Sequence, residues 1–252
     1  MPSEVRQSGV GDCYLMASLI ALAKTNPKAI TDCFVQGLDK IENEDEINIR
    51  FFRKSNKESE LKAPVIIRIN KKKVISPKDI KGNALWPKLI EKAYAVYRKK
   101  GYDFSYRKNL HGGDSSDSMF AITGNRAKSS TRVSVSYSGV NNYEVVEKFT
   151  SENVISTIKK KLNKSRVLTC DFKKDFKIKD VKSQEKIEIF SNHAYAIVGI
   201  NDSKKYIRLI EPNKFWGRKV KNSPKSQEGG HIAMSFDDFK KNFLNIDYTT
   251  GK

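Results

Sequence analysis

Cysteine and histidine are scarce in this sequence, with three of each among 252 residues. No two cysteines form a CxxC pair, and an odd, small number argues against a disulfide framework and for a reducing compartment. Because thiols and imidazoles are so few and show no zinc-ligand spacing, the sequence predicts no metal site.

Long apolar runs are missing as well. No run reaches the roughly 18 to 20 apolar residues that a membrane helix needs, and the longest candidate, residues 13–23, is flanked by polar sequence. No secretory signal peptide is visible, so we expect a cytoplasmic protein or an effector delivered into a host cytosol. Because the chain begins shortly before Gln7, it could be a fragment of a longer protein.

Acidic residues are outnumbered by basic ones, 29 to 48, which gives a formal net charge of +19. A field of that size favours acidic partners such as nucleic acid. However, the lysines are spread along the chain, and we find no RRM, zinc finger or basic region with heptads. We therefore assign most of this charge to solvated surface and keep a nucleic-acid or acidic partner as a less favoured option.

Helical patterns dominate the first half of the sequence. Residues 11–23 predict a helix buried on all sides, and residues 85–99 repeat apolar positions at helical spacing. Two short segments rich in Ile and Phe, residues 46–52 and 64–70, predict a hairpin. Residues 111–124 are polar and punctuated by glycine, so we expect a connector there.

Strand patterns dominate the second half. Residues 132–139 alternate as a strand does, whereas residues 150–165 predict an amphipathic helix. Strand candidates follow in SRVLTCDF, KIEIF, HAYAIVGIN and KYIRLIEP. The sequence therefore predicts an α+β protein with a mainly helical lobe at residues 1–125 and a β-rich, antiparallel lobe at residues 126–252.

Cys13 lies where a glycine-containing turn passes into the first apolar helix. Asp12 is a suitable N-cap, which places Cys13 in the first turn, where the helix dipole lowers a thiol pKa. The N–H of Cys13 and the side-chain amide of Gln7 could both donate to an oxyanion. By position alone, however, a cysteine that opens an apolar helix is more often simple core packing.

A thiol nucleophile needs a base, and HAYAIVGIN places His193 at the start of a strand. A third group should orient the imidazole. The segment KYIRLIEPN offers Glu211 at the end of a strand and Asn213 two residues later. An isolated histidine at a strand end is more often structural, so this assignment depends on the segments taken together.

Six segments, in order, resemble the motifs of calpain-type cysteine peptidases. QSGVGDCYLMASL is similar to the family's Q-G-x-x-G-D-C-W active-site segment, with tyrosine in place of the tryptophan. The other five are LWPKLIEKAYAVYRKKGYDF, HGGDSSDSMFAITG, NHAYAIVGI, IRLIEPNKFWG and GGHIAMSFDDFKKNF. Together they span about residues 7–245, and their order makes a chance resemblance improbable.

The resemblance implies a papain-like, two-lobed α+β fold with the active site in the cleft between the lobes. By carry-over, Cys13 is the nucleophile, His193 the general base and acid, and Gln7 a donor of the oxyanion hole. The resemblance also implies a substrate-binding surface composed of Gly11, Gly112, Gly113, Asn192 and Trp216. The tryptophan in this set would shield the imidazole from water.

One departure concerns the third member of the triad. Aligned on Pro212 without a gap, Glu211 stands where the family has asparagine. Alternatively, Asn213 is the partner and a short insertion follows it. Glu211 is slightly favoured because it continues the IRLI register, and a carboxylate stabilises imidazolium more strongly than an amide does.

The resemblance implies a calpain-like cysteine endopeptidase that hydrolyses protein or peptide substrates through a thioester. An effector or toxin with acyl-transfer chemistry (a deamidase, transglutaminase or deubiquitinase-like enzyme) and a catalytically inactive basic binding module are the alternatives. We expect a monomer that requires no cofactor. Larger members of the family bind calcium, so calcium is possible, but no residues can be assigned to it.

Overall fold

The computed structural model describes residues 2–7, 10–53, 64–75, 84–98, 106–131, 149–213 and 230–250. The first lobe is organised around helix α1 (Cys13–Thr25). Nine consecutive residues of α1, Tyr14–Leu22, are buried, so the helix is covered on every side. Full burial of a side chain such as Leu15 or Leu19 contributes about 1.5–3 kcal/mol, which makes α1 the main anchor of the lobe.

The described part of the first lobe also contains a hairpin and further helices. Strands β1 (Glu46–Phe52) and β2 (Pro64–Asn70) form the predicted antiparallel hairpin, with Glu46 opposite Asn70. The helices are α2 (Pro27–Thr31), α3 (Lys71–Val74), α4 (Leu85–Tyr97), α5 (Tyr106–Leu110) and α6 (Ser115–Thr123). The predicted helix in residues 85–99 is therefore confirmed as α4.

The prediction of a connector over residues 111–124 is wrong for most of that segment, because α6 occupies it. The hydroxyl of Ser118, fully buried, donates to Ser18 Oγ at 2.8 Å, and Ser18 Oγ donates to the Tyr14 carbonyl at 2.8 Å. Serines that suggested a loop in the sequence therefore lie in the interior, where α1 provides their hydrogen-bond partners. Gly124 ends the helix in a left-handed conformation with φ of 68°.

In its described residues, the second lobe contains strands and two helices. Its elements in chain order are β3 (Ala127–Thr131), α7 (Val154–Asn163), β4 (Leu168–Phe172), β5 (Phe176–Lys179), β6 (Lys186–Ile189), β7 (Tyr195–Asn201), β8 (Tyr206–Ile210), β9 (His231–Ser235), α8 (Phe236–Asn242) and β10 (Phe243–Thr249). Among the described residues, six strands form one antiparallel sheet in the order β3-β10-β4-β7-β8-β9, and β5 pairs with β6 separately.

Strand β7 separates two hydrophobic clusters in the described part of the chain. Ala196 and Val198 pack with the first lobe, whereas Tyr195 and Ile197 pack with the second. Successive side chains of a strand point to opposite faces, so one central strand serves both cores. The segment immediately before β7 is thereby held where the two lobes meet.

The α+β class and the predicted strands around residues 168, 186, 195 and 206 are confirmed. Strands β3, β5, β9 and β10 were not predicted, and the predicted strand at 132–139 lies outside the described residues. The lobe boundary near residue 125 stays a prediction. Within the described ranges, no helix is both long enough and apolar enough to cross a membrane.

Candidate active site

Cys13 is the first residue of α1, and its side chain is partly exposed. Asp12 occupies the N-cap position, as predicted, but its side chain makes no capping hydrogen bond. Helix α1 therefore begins directly after the predicted N-cap residue, but the side chain of that residue does not cap it. The carboxyl of Asp12 is instead fully buried, and neither of its oxygens has a hydrogen-bond partner among the described residues.

The environment of Cys13 favours the neutral thiol. Burial raises the pKa of the thiol, while a hydrogen bond from the backbone of Ala194 lowers it and the neighbouring Asp12 raises it. The contact with Ala194 matters for geometry, because this residue directly follows His193. The structure thus brings Cys13 of the first lobe and the His193 segment of the second lobe together.

His193 precedes β7, and its side chain is only 14% exposed. Its ring lies edge-on to the ring of Tyr195, with the centroids 5.1 Å apart. His193 Nε2 is 3.5 Å from Glu211 Oε1 and is buried without a hydrogen-bond partner among the described residues. Burial lowers the pKa of the imidazole to about 4, so it is neutral near pH 7.

Glu211 directly follows β8, and its backbone N–H donates to the Gly230 carbonyl at 2.9 Å. Burial raises the pKa of the Glu211 carboxyl to about 7. The charge on this group therefore changes in the neutral pH range, 3.5 Å from the imidazole. Asn213 Oδ1 is buried and accepts no hydrogen bond from any described residue.

Gln7 is tied to the second lobe by its backbone, because its N–H donates to the Pro212 carbonyl at 3.0 Å. Its side-chain Nε2 donates to the Val10 carbonyl at 2.5 Å, and Oε1 is buried without a partner in the described chain. A backbone hydrogen bond thus connects the segment before Cys13 with the segment that contains Glu211 and Asn213, the two candidates for the third triad residue.

Nearly the whole chain matches a family profile. Residues 1–250 match the profile described as calpain family cysteine protease. The chain belongs to the calpain family. Calpain-8 of Rattus norvegicus and Calpain-8 of Mus musculus are each 24% identical to it over 273 residues, covering 97% of this chain and 35% of each relative. The chain thus spans about a third of the length of these two calpains.

The double glycine of this calpain-family chain is held against the nucleophile turn. The Gly112 N–H donates to the Gly11 carbonyl at 2.9 Å, and Arg98 Nη1 donates to the Gly112 carbonyl at 2.9 Å. Arg98 also donates to the hydroxyl of Tyr14, which in turn donates to the Leu110 carbonyl at 3.1 Å. The sequence did not indicate a role for Arg98, because it looks like an ordinary charged residue at the end of a helix.

Tyr14 stands where the family has tryptophan. Its ring lies so close to Gly113 that a side chain at position 113 would clash with it. A Cβ at Gly113 would lie 2.9 Å from Tyr14 Cζ and from Arg98 Nη1. Glycine therefore permits the close approach of this loop to α1.

Other predicted site residues are placed differently. Asn192 is exposed and adopts a left-handed conformation with φ of 53°, which asparagine tolerates better than most residues. Trp216 lies outside the described residues. Among the described residues, no three His, Cys, Asp or Glu side chains cluster as metal ligands would; calcium binding stays an untested expectation.

Gly230, which sequence reasoning also missed, packs against the backbone of Glu211. Its φ is +67°, and a Cβ there would lie 2.5 Å from the Glu211 carbonyl oxygen. We expect Gly230→Ala to cost about 1–2 kcal/mol of unfolding free energy and to lower kcat by displacing Glu211. Chemical denaturation and peptide hydrolysis measure the two effects.

The matched control is Gly37→Ala. Gly37 also has a positive φ, +96°, and its added Cβ would meet only the movable carboxylate of Asp39. This variant should lose stability but keep kcat. If Gly230→Ala lost no more activity than Gly37→Ala, the proposed dependence of Glu211 on Gly230 would be wrong.

Proposed function

We propose that this chain is a cysteine endopeptidase in which Cys13 is the nucleophile and His193 the general base and acid. The observation that carries the proposal is that the backbone of Ala194, the residue after His193, lies close enough to the Cys13 thiol to lower its pKa. Membership of a cysteine protease family supports the same chemistry. The substrate class is a protein or peptide.

The reaction begins from a neutral thiol and a neutral imidazole. Because His193 Nε2 faces Glu211, Nδ1 is the nitrogen left to receive the thiol proton. Sγ bonds to the substrate carbonyl carbon as its proton passes to Nδ1, and the carbonyl π electrons move to oxygen. Collapse expels the amine, which takes the proton from Nδ1, and leaves a thioester that water hydrolyses by the reverse proton path.

The oxyanion is stabilised by the backbone N–H of Cys13 and by Gln7 Nε2. As the first residue of α1, Cys13 presents its N–H at the positive end of the helix. The Gln7 amide has two hydrogens, so one can stay on the Val10 carbonyl while the other reaches the substrate. One such donor is worth about 100- to 1,000-fold in kcat.

Glu211 acts as the third member by selecting the histidine tautomer. When ionised, it accepts a hydrogen bond from Nε2–H and leaves the Nδ1 lone pair for the thiol. When protonated, it donates to Nε2, which puts the imidazole hydrogen on Nδ1 and removes the base. Since the pKa of Glu211 is raised to about 7, activity should rise with pH through neutrality.

The expected pH profile tests this role. Below pH 7, kcat/KM of the wild type should fall about tenfold per pH unit, because only the ionised fraction of Glu211 is competent. Glu211→Gln should lose that acid limb, since the amide does not titrate. If Asn213 were the partner, Asn213→Ala would cause the larger loss and Glu211→Gln would keep the limb.

The substrate class is tested with a proteome-derived peptide mixture read by mass spectrometry, with calcium and with chelator. Internal cuts made by the wild type would identify an endopeptidase and its preferred side chains. Absence of cuts in both conditions, with Cys13 still alkylated rapidly at neutral pH, would contradict endopeptidase activity and favour acyl transfer.

A further inference from the structure

Strands β4 and β10 carry two acidic residues on the side of the sheet that faces the first lobe. Alternate residues of both strands belong to the hydrophobic cluster of the second lobe. The residues between them therefore lie on the opposite face, where Ala196 of β7 packs with the first lobe. We call this set the acidic face; it comprises Thr169, Asp171, Asn245 and Asp247.

The acidic face begins one strand away from the nucleophile. The register that pairs Thr169 with Ala196 brings Asp171 level with Ala194. The backbone of Ala194 in turn lies close enough to the Cys13 thiol to lower its pKa. Neighbouring strands are about 5 Å apart, so the first carboxylate is about one strand spacing from the segment beside the thiol, and the second is about two.

Three polar atoms of the acidic face are buried without partners. Thr169 is 1% exposed, and its hydroxyl forms no hydrogen bond with any described residue. Asn245 Oδ1 and Asp247 Oδ1 are likewise buried and unpartnered in the described chain. Asp247 is directly opposite Thr169 in the ladder, so their side chains point to the same side. All three atoms can accept a hydrogen bond, which favours a ligand with several donors.

The charge of the acidic face favours a cationic ligand, although the protein as a whole is basic. Asp171 accepts hydrogen bonds from the Asn245 N–H at 2.9 Å and from Asn245 Nδ2 at 3.3 Å. Neither Asp171 nor Asp247 forms an ion pair with a described residue. Burial raises the pKa of Asp171 to about 6 and that of Asp247 to about 7, and Asp114 of the first lobe raises both further. Arg98 lines a cavity together with Asp114, so the two carboxylates of the sheet are the ones without a described cation.

We propose that the acidic face is a specificity site for an arginine or lysine of the substrate that lies within about two residues of the scissile bond. Its cation pairs with Asp171 and Asp247, and Thr169 Oγ1 and Asn245 Oδ1 accept its remaining hydrogens. An extended peptide advances about 3.3 Å per residue, so two residues cover the distance from the thiol to this face. This inference rests on the proposed function and deepens it by naming the side chain that the enzyme selects.

Arginine suits the acidic face better than lysine or a metal ion. Its guanidinium presents five N–H donors in a plane, whereas an ammonium has three, and the acceptors are spread over two strands. Among the described residues, no three acids cluster closely enough to act as metal ligands. The wider organic cation therefore matches the spacing of these carboxylates.

The first test uses the cleaved peptide mixture. Wild-type cuts should be enriched in arginine or lysine within two residues of the cleaved bond, and an even distribution would overturn the proposal. A peptide from this set is then compared with the same peptide carrying citrulline, the neutral isostere of arginine. The wild type should prefer arginine by about 10- to 100-fold in kcat/KM, as expected for charge-assisted hydrogen bonds.

Asp171→Asn and Asp247→Asn should each lower this preference by about tenfold. Both should cleave the citrulline peptide within about threefold of the wild-type rate, because the neutral side chain does not use the charge. An equal loss on both peptides would show that the carboxylates are structural and would overturn the proposed selection.

Asp202→Asn is the matched control. Asp202 lies in the turn after β7, at the other end of the strand from His193, and pairs with Lys159. This variant removes the same charge from the same lobe and should keep the wild-type preference. If it lowered the preference as much as Asp171→Asn does, net charge rather than the acidic face would be responsible.

Calorimetric titration gives a readout that needs no cleavage. The wild type should bind N-acetylarginine amide at least about tenfold more tightly than N-acetylcitrulline amide, and Asp171→Asn should lose the difference. Equal binding of the two compounds would refute the acidic face even if the protein cleaves peptides. Selective binding by a protein that cleaves nothing would refute the proposed function and leave the binding site standing.

Discussion

Cys13→Ala is expected to abolish peptide cleavage, lowering kcat by about 1,000-fold or more. Alanine keeps the start of α1 and the neighbouring backbone donors but removes the sulfur that forms the thioester. The variant can still bind substrate and still has the oxyanion donors, but no thioester can form. The loss should therefore appear in kcat, with KM changed little.

The measurement is hydrolysis of a peptide identified from the mixture experiment, with intact-protein mass spectrometry to detect the acyl-enzyme. Cys33→Ala is the matched control, because Cys33 is buried in the same lobe and burial raises the pKa of its thiol to about 12. This control should cleave normally and still form the adduct. Cleavage by Cys13→Ala at more than a few percent of the wild-type rate would refute the assigned nucleophile.

His193→Ala is expected to lower kcat by about 100- to 10,000-fold, the usual value of general acid–base catalysis. The thiol pKa is already raised by burial, so few molecules carry a thiolate at neutral pH without a base. The leaving amine would also lose its proton donor. Activity should recover partly at high pH, where the thiol ionises by itself.

His231→Ala provides the control, since His231 is exposed at the start of β9. Rates of alkylation of Cys13 by iodoacetamide give a readout that needs no substrate. His193→Ala should react more slowly than His231→Ala at neutral pH, and the difference should vanish at alkaline pH. Equal alkylation rates throughout would mean that His193 does not act on the thiol.

Local patterns were sufficient for the elements whose apolar residues follow one period. The hairpin strands β1 and β2 have the predicted bounds, and α1 begins two residues after the predicted start. A period of two or of 3.6 is a property of neighbouring residues, so it needs no knowledge of partners. By contrast, α6 was missed because its serines are satisfied by α1, which lies about a hundred residues away in the sequence.

The motif around Cys13 and the HAYAIVGI segment identified the family from the sequence alone. For the third triad member the sequence favoured Glu211 only slightly, because Glu211 and Asn213 are both polar and lie two residues apart. Tertiary structure brings Glu211 Oε1 within 3.5 Å of the imidazole. That distance supports Glu211 as the partner, and the pH profiles of its variants are the test.

The sequence by itself determined the α+β class, because hydrophobic periods are local, and the resemblance of six ordered segments to calpain motifs gave the candidate nucleophile and base. Tertiary structure alone decided which groups surround Arg98 and Gly230. Arg98 donates to Tyr14 and to the Gly112 carbonyl, and Gly230 packs against the backbone of Glu211, and all these partners except Gly112 are more than fifteen residues away in the sequence. Burial also sets the charge of each titrating group, and burial is a property of the packed chain.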